Sequence, residues 1–159
     1  MRSPSPFVRY LLCIFGTVLL GSLSGLVTVS TIETWYTTLE KPWFNPPNWV
    51  FGPVWTVLYI LMGTAAAIVW TNGHDRLLRR RALWHYVFQL ALNLSWSLVF
   101  FGLRSPAGAL VIIVLLLFTI GLCIRSFRMI DVRAAWLLYP YLAWVSFATV
   151  LNAAIVYLN

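Results

Sequence analysis

Charge is what this chain has least of. Of its 159 residues 9% are Asp, Glu, Lys or Arg, and only 4 are acidic, where a soluble domain is about 25% charged. So few charges cannot clothe a water-facing surface of this size, which excludes a soluble enzyme and a nucleic-acid-binding domain. A chain that is 61% hydrophobic is also not a disordered one. Cysteine is nearly absent. Cys13 and Cys123 lie in apolar runs without ligand spacing and read as small buried hydrophobes, not as a disulfide or a metal site. His74 and His85 stand apart and read as membrane-interface residues, so no metal is expected. The sequence has no Ser/His/Asp set, no glycine-rich phosphate loop and no paired carboxylates, which removes hydrolysis and phosphoryl transfer. No ionisable residue falls near the centre of an apolar run, which sets aside the usual proton-coupled transporters.

What is present is a series of long uncharged stretches. Arg9 to Glu33 encloses 23 residues without charge, Lys41 to Asp75 encloses 33, Arg81 to Arg104 encloses 22, Arg104 to Arg125 encloses 20, and 26 follow Arg133. About 20 apolar residues at 1.5 Å each span the hydrocarbon of a bilayer. Each stretch holds one crossing, and the pattern predicts helices near 8–30, 52–72, 83–102, 106–125 and 134–157. Strict alternation is missing, and backbone polarity in lipid leaves helices as the solution. The expected fold class is therefore all-α, an integral membrane bundle of five transmembrane helices in a single domain, 1–159. Nine basic residues fall on the side of the N-terminus and of the second and fourth loops, against two on the other. That bias places the N-terminus in the cytoplasm of a bacterial inner membrane. The first helix resembles a signal peptide in its basic start, but no small-x-small cleavage site follows it, so it is read as retained.

Local signals mark the ends. Ser105-Pro106 is an N-cap with proline at the first helical position, and Asn72-Gly73 can end the second helix. Pro140 is expected inside the fifth helix, as a kink that either serves packing or shapes a cavity. Gly21 and Gly25, and Ala91 and Ser95, are small pairs at helical spacing that suit close contact within a bundle or between subunits.

Tryptophan is abundant, with 9 residues. Interfacial belts explain several, but Trp55, Trp96 and Trp144 fall within helices, where an indole N–H needs a partner. Tyr59 follows Trp55 by four residues, Trp96 follows Asn93 by three, and Tyr141, Trp144 and Ala148 share a face. These stripes describe either a pocket with flat π walls or dense aromatic packing. The first loop, IETWYTTLEKPWFNPPNWVFGPVW, carries prolines at 42, 46, 47 and 53, which argue against a continuous helix, and tryptophans at 35, 43, 49 and 55. It suits a lid over one end of the bundle, residues 31–51, or an interfacial anchor.

Three blocks resemble the TspO/translocator protein family, also called tryptophan-rich sensory proteins or peripheral-type benzodiazepine receptors. They are WYTTLEKPWFNPPNWVFGPVW from Trp35 to Trp55, QLALNLSWSLVFFG at 89–102 and PYLAWVSFATVLN at 140–152. The resemblance implies a five-helix bundle, a homodimer, and a pocket closed on one side by the first loop. It implies protoporphyrin IX or haem as ligand, with no cofactor required, and sterol or isoquinoline carboxamide ligands in mitochondrial members. The roles it implies are tetrapyrrole transport, sensing or homeostasis; light- and oxygen-dependent breakdown of protoporphyrin; or regulatory contact with another membrane protein. Carried onto this chain, Tyr36, Pro46, Trp55, Asn93, Trp144 and Ala148 line or close the pocket. Trp55 and Trp144 are the catalytic candidates wherever photo-oxidation operates. The family's sterol-associated ending, L/V-x-Y-x-K/R, is incomplete: Tyr157 is present but no Lys or Arg follows it. That favours a bacterial-type tetrapyrrole role.

Overall fold

The computed structural model describes residues 4–159, the side chains of 27, 29 and 30 excepted, so Arg2 of the charge bias lies outside the described residues. Five long helices run Pro6–Ile32 (α1), Asn48–Asn72 (α2), Arg76–Ser97 (α3), Pro106–Arg128 (α4) and Tyr139–Leu158. A short helix, Val132–Trp136 (α5), precedes the last of them, which is α6. The described residues form no strand. The all-α bundle is the one the uncharged stretches predict.

Helix starts follow from side chains that accept the free N–H groups of the first turn. Ser5 accepts from Val8 N at 3.4 Å, and Pro6 opens α1. Ser105 accepts from Gly108 N at 3.3 Å, and Pro106 opens α4. Asp75 accepts from Leu77 N and Leu78 N at 2.7 and 3.1 Å. This cap moves the start of α3 seven residues earlier than the hydrophobic pattern predicts, so the arginine cluster 76–81 forms helical turns instead of a loop. Arginine is a good helix former, and the missing ingredient was the cap. At its other end α3 widens into a π-helical turn, Leu98–Gly102. Arg104, at φ 52°, then reverses the chain in the left-handed region.

α2 starts at Asn48, four residues before the expected 52, and α1 runs to Ile32, so the loop between them is 33–47 and not the expected 31–51. Pro53 lies inside α2. It falls in the second turn, where its missing N–H leaves only the Trp49 carbonyl without its helical partner. Pro140 does not kink a continuous helix. The chain leaves helical geometry after Trp136 and restarts at Tyr139, with Pro140 in the first turn of α6, where no intrahelical donor is needed.

Length and apolarity suffice for membrane crossing in Pro6–Leu26, Asn48–Asn72, Pro106–Arg128 and Val132–Leu158. The fifth long helix, α3, begins with arginines, and its uncharged part runs from Ala82 on through the π turn. The core gathers Met62, Ile113, Leu116, Phe127, Tyr141 and Val145, all almost fully buried. Close approach of α1 and α2 depends on Gly63, where a Cβ would meet the Ile14 Cα at 2.6 Å and the Cys13 carbonyl at 2.8 Å.

Candidate functional site: an aromatic cavity between α1, α2 and α3

A cavity of about 440 Å³ lies between the second half of α1, the first half of α2 and the end of α3. That is within the usual range for a small-molecule site, about 300–1,000 Å³. Its inner wall is aromatic. Trp55 stacks on Tyr59 at 5.5 Å and lies 6.4 Å from Trp96, and all three line the space. Phe101, 6.2 Å from Trp96 and edge-on to it, continues the wall. The mouth is bordered by Leu26 of α1 and by Trp49 and Thr56 of α2, all exposed.

Polar groups are few and held in place. Tyr59 Oη donates to Asn93 Oδ1 at 3.0 Å, which fixes both side chains on the cavity floor. Asn93 is 2% exposed, and its Nδ2 has no hydrogen-bond partner among the described residues. A buried amide donor left over at a cavity wall is costly unless something occupies it. Trp96 Nε1 donates to Asn152 Oδ1 at 3.1 Å, and Asn152 Nδ2 donates to the Pro106 carbonyl at 2.9 Å. One side chain of α6 thereby orients the indole and ties down the start of α4. Near the rim, Thr28 and Ser97 hydroxyls pair at 3.0 Å between α1 and the end of α3.

The structure separates the residues that the resemblance groups together. Trp55 and Asn93 line the cavity. Trp144 stands one ring behind it, edge-on to Phe51 at 6.0 Å and tilted against Phe147 at 5.5 Å, and Phe51 takes the wall position. The Trp144 indole N–H is buried without a partner among the described residues. Ala148 is buried on α6. Tyr36 is buried under the first loop, where it meets Phe100 and Phe101 at 6.1 and 5.8 Å and donates to Asn45 Oδ1 at 2.7 Å. Pro46 is half-buried, and its carbonyl accepts from Asn45 Nδ2 at 3.1 Å. Tyr36, Asn45 and Pro46 thus form one bonded unit within the loop. Lys41 Nζ lies 5.0 Å from the centre of the Tyr36 ring. Burial pushes the Tyr36 phenol up to about 12.

Tyr59 and Trp96 are wall residues that the family blocks do not single out. Helical spacing was the available signal: Tyr59 is four residues from Trp55, and Trp96 is three from Asn93. Gly21 and Gly25 also belong to the lining. The Tyr59 ring lies against Gly21, and open space faces Gly25, so this small pair makes room for the cavity. No cluster of three or more His, Cys, Asp or Glu able to hold a metal exists among the described residues. His85 is elsewhere, with its Nδ1 2.7 Å from Ser126 Oγ.

Residues 13–158 match the TspO/MBR family. The chain is similar to the tryptophan-rich protein TspO of Chlorobaculum tepidum, with 45% identity over 148 residues, 93% of this chain and 94% of that one. It is similar to the protein of the same name from Archaeoglobus fulgidus, with 42% identity over 146 residues, 92% and 94% of the two chains. It also resembles the human translocator protein, with 42% identity over 119 residues, 74% of this chain and 70% of that one. Multi-pass insertion in a membrane agrees with the helix lengths and with these relatives. A match over nearly the whole chain, joined to an all-helical bundle with a tryptophan-rich first loop, has one conclusion: the chain belongs to the TspO/MBR family.

Proposed function

We propose that this chain is a membrane tetrapyrrole-binding protein, acting in porphyrin transport, sensing or homeostasis. The observation that carries the reading is the aromatic cavity with the buried Asn93 amide in its wall. Flat indole and phenol faces suit a flat, largely apolar macrocycle, and one directed donor suits a polar group on its edge. The described lining contains no imidazole, thiol or carboxylate, so it favours a metal-free macrocycle such as protoporphyrin IX over one held through an iron ligand. The first loop acts as a lid in this reading, because the helix ends that flank it, Ile32 of α1 and Asn48 and Trp49 of α2, line the cavity. In this reading the N-terminus faces the cytoplasm of a bacterial inner membrane, an orientation the charge bias supports. The protein works as a homodimer, as its family resemblance implies.

The test is a titration in the dark with protoporphyrin IX, read by tryptophan quenching. Saturable, one-to-one binding is expected, weakened about tenfold by Trp55→Phe or Asn93→Leu and less by Trp144→Phe, which is one ring removed. Linear quenching that ignores all three substitutions overturns the reading.

A second reading, light- and oxygen-dependent breakdown of protoporphyrin, is supported by the row of rings in the cavity wall and behind it. Trp55 lies within 5.5 to 6.4 Å of Tyr59, Tyr141 and Trp96. An excited porphyrin that gives an electron to oxygen leaves a porphyrin radical cation and superoxide, whose recombination adds oxygen to the macrocycle and opens it. Trp55 and these neighbours can share the hole reversibly until then, so the porphyrin is what is oxidised and oxygen what is reduced. A discrete product under light, lost in Trp55→Phe while binding persists, supports it; equal bleaching in both proteins refutes it.

A further inference from the structure

A second hollow lies far from the aromatic cavity, at the end of the bundle that carries the arginines. It occupies about 260 Å³ between the start of α3 and the end of α4. Arg81 and Arg125 stand at its edge, one from each helix, with His85 and Ser126 between them. His85 Nδ1 and Ser126 Oγ are 2.7 Å apart, which locks the imidazole against α4. Leu122 and Met129 supply an apolar side.

The position of these arginines is informative. Arg81 is the last charge of α3 before 22 uncharged residues, and Arg125 is the first charge of α4 after 20. Both helices therefore cross from hydrocarbon to headgroup at this level, which is where phospholipid phosphates lie. The local cations have little to balance them. Asp75 accepts from the Leu77 and Leu78 N–H groups, and Asp131 pairs with Arg133 at 2.9 Å. No carboxylate forms an ion pair with Arg81 or Arg125 among the described residues. Two guanidinium groups that share a concave site offer directed donors to a phosphate diester, while the Ser126 hydroxyl beside them donates to the Leu122 carbonyl at 2.9 Å and helps fix the His85 ring. The adjoining leucine and methionine offer a surface to the first carbons of an acyl chain.

We propose that this hollow is a site for one anionic phospholipid, with its phosphate between Arg81 and Arg125 and its glycerol end against His85 and Ser126. The ligand is a lipid and not free phosphate, because the arginines mark the hydrocarbon boundary and three of the seven lining residues, Leu78, Leu122 and Met129, are apolar. Such a site holds the ends of α3 and α4 together from outside the protein.

Native mass spectrometry of the purified full chain, titrated with phosphatidylglycerol and separately with phosphatidylcholine, tests this. One phosphatidylglycerol per chain is expected to survive at energies that strip phosphatidylcholine. Arg81→Gln with Arg125→Gln is expected to weaken retention at least fivefold. Arg76→Gln with Arg80→Gln removes the same charge from exposed positions outside the hollow and is expected to leave retention unchanged. Equal loss in both pairs means diffuse surface attraction and overturns the site. Displacement of the lipid by equimolar inorganic phosphate overturns the lipid assignment. Ser126→Ala, a small change inside the hollow, provides a second variant that should fold: unchanged retention there, together with unchanged retention in Arg81→Gln/Arg125→Gln, also overturns the proposal.

Discussion

At the scale of single residues, three glycines do three different things. Gly63 lets two helix backbones touch, and Gly21 yields its space to the Tyr59 ring. Gly25 faces open space at the cavity wall. Gly63→Ala sets a methyl against main-chain atoms that cannot turn aside, with an expected cost of about 1–3 kcal/mol. Gly25→Ala should leave stability within about 0.5 kcal/mol of the parent. Thermal unfolding of the two variants in one detergent checks the contrast, and equal midpoints would refute the α1–α2 packing described. Trp144 illustrates what sequence does not carry. Its position shares a helical face with Ala148, but whether it meets the cavity depends on Phe51, from another helix, standing in front of it. Spacing within one helix is readable; which ring arrives first from two helices is a matter of tertiary packing.

At the scale of elements, the first loop is fastened at two places. Tyr36 holds the middle through Asn45 and the Phe100–Phe101 pair. Asn159 holds the next turn: its Nδ2 donates to the Glu40 carbonyl, and its Oδ1 accepts from Glu40 N, both at 3.0 Å. Tyr36 gives this attachment a pH signature. In the fold its phenol stays protonated to about 12, against 10.0 when free. The unfolded chain therefore releases that proton first as pH rises, and the stabilisation is complete below about pH 10 and lost between about 10 and 12. Unfolding midpoints measured across this range should fall more steeply in the parent than in Tyr36→Phe; parallel curves would show that the loop does not bury this phenol.

The elements themselves were largely legible. Uncharged lengths located every long helix, and Ser105-Pro106 and Asn72-Gly73 fixed their boundaries. The departures have separate causes. Arg76–Arg81 reads as loop from its charge alone, whereas the Asp75 cap makes it the first turns of α3. Pro140 looked like a kink because the break that precedes it, after Trp136, has no glycine or polar turn residue to announce it. The π turn at Leu98–Gly102 carries no sequence signal either, since it consists of five apolar or small residues inside an apolar run. The cavity floor was half visible: Trp55 and Asn93 could be named in advance, while the closure of Trp96 by Asn152 joins residues 56 positions apart.

At the scale of the whole molecule, charge separates the two ends of the bundle. The arginine-rich end carries eight of the ten described basic side chains, at 9, 76, 79, 80, 81, 125, 128 and 133. The opposite end carries the first loop with Glu33, Glu40 and Lys41. The aromatic cavity lies toward the loop end, and its mouth is bordered by Leu26 and Thr56, which project from helices that cross the membrane. An opening in the side of a bundle faces acyl chains instead of solvent. A hydrophobic guest therefore need not leave the bilayer to reach Trp55, and lateral diffusion within one leaflet sets its encounter rate. Across porphyrins graded by esterification, association rates measured by stopped-flow quenching at one aqueous concentration should rise with each compound's partition into lipid. Rates that follow aqueous concentration alone would place the entrance under the loop. By the first outcome, the membrane is the compartment that holds the ligand in reserve, and the composition of the surrounding lipid becomes a determinant of how fast the site fills.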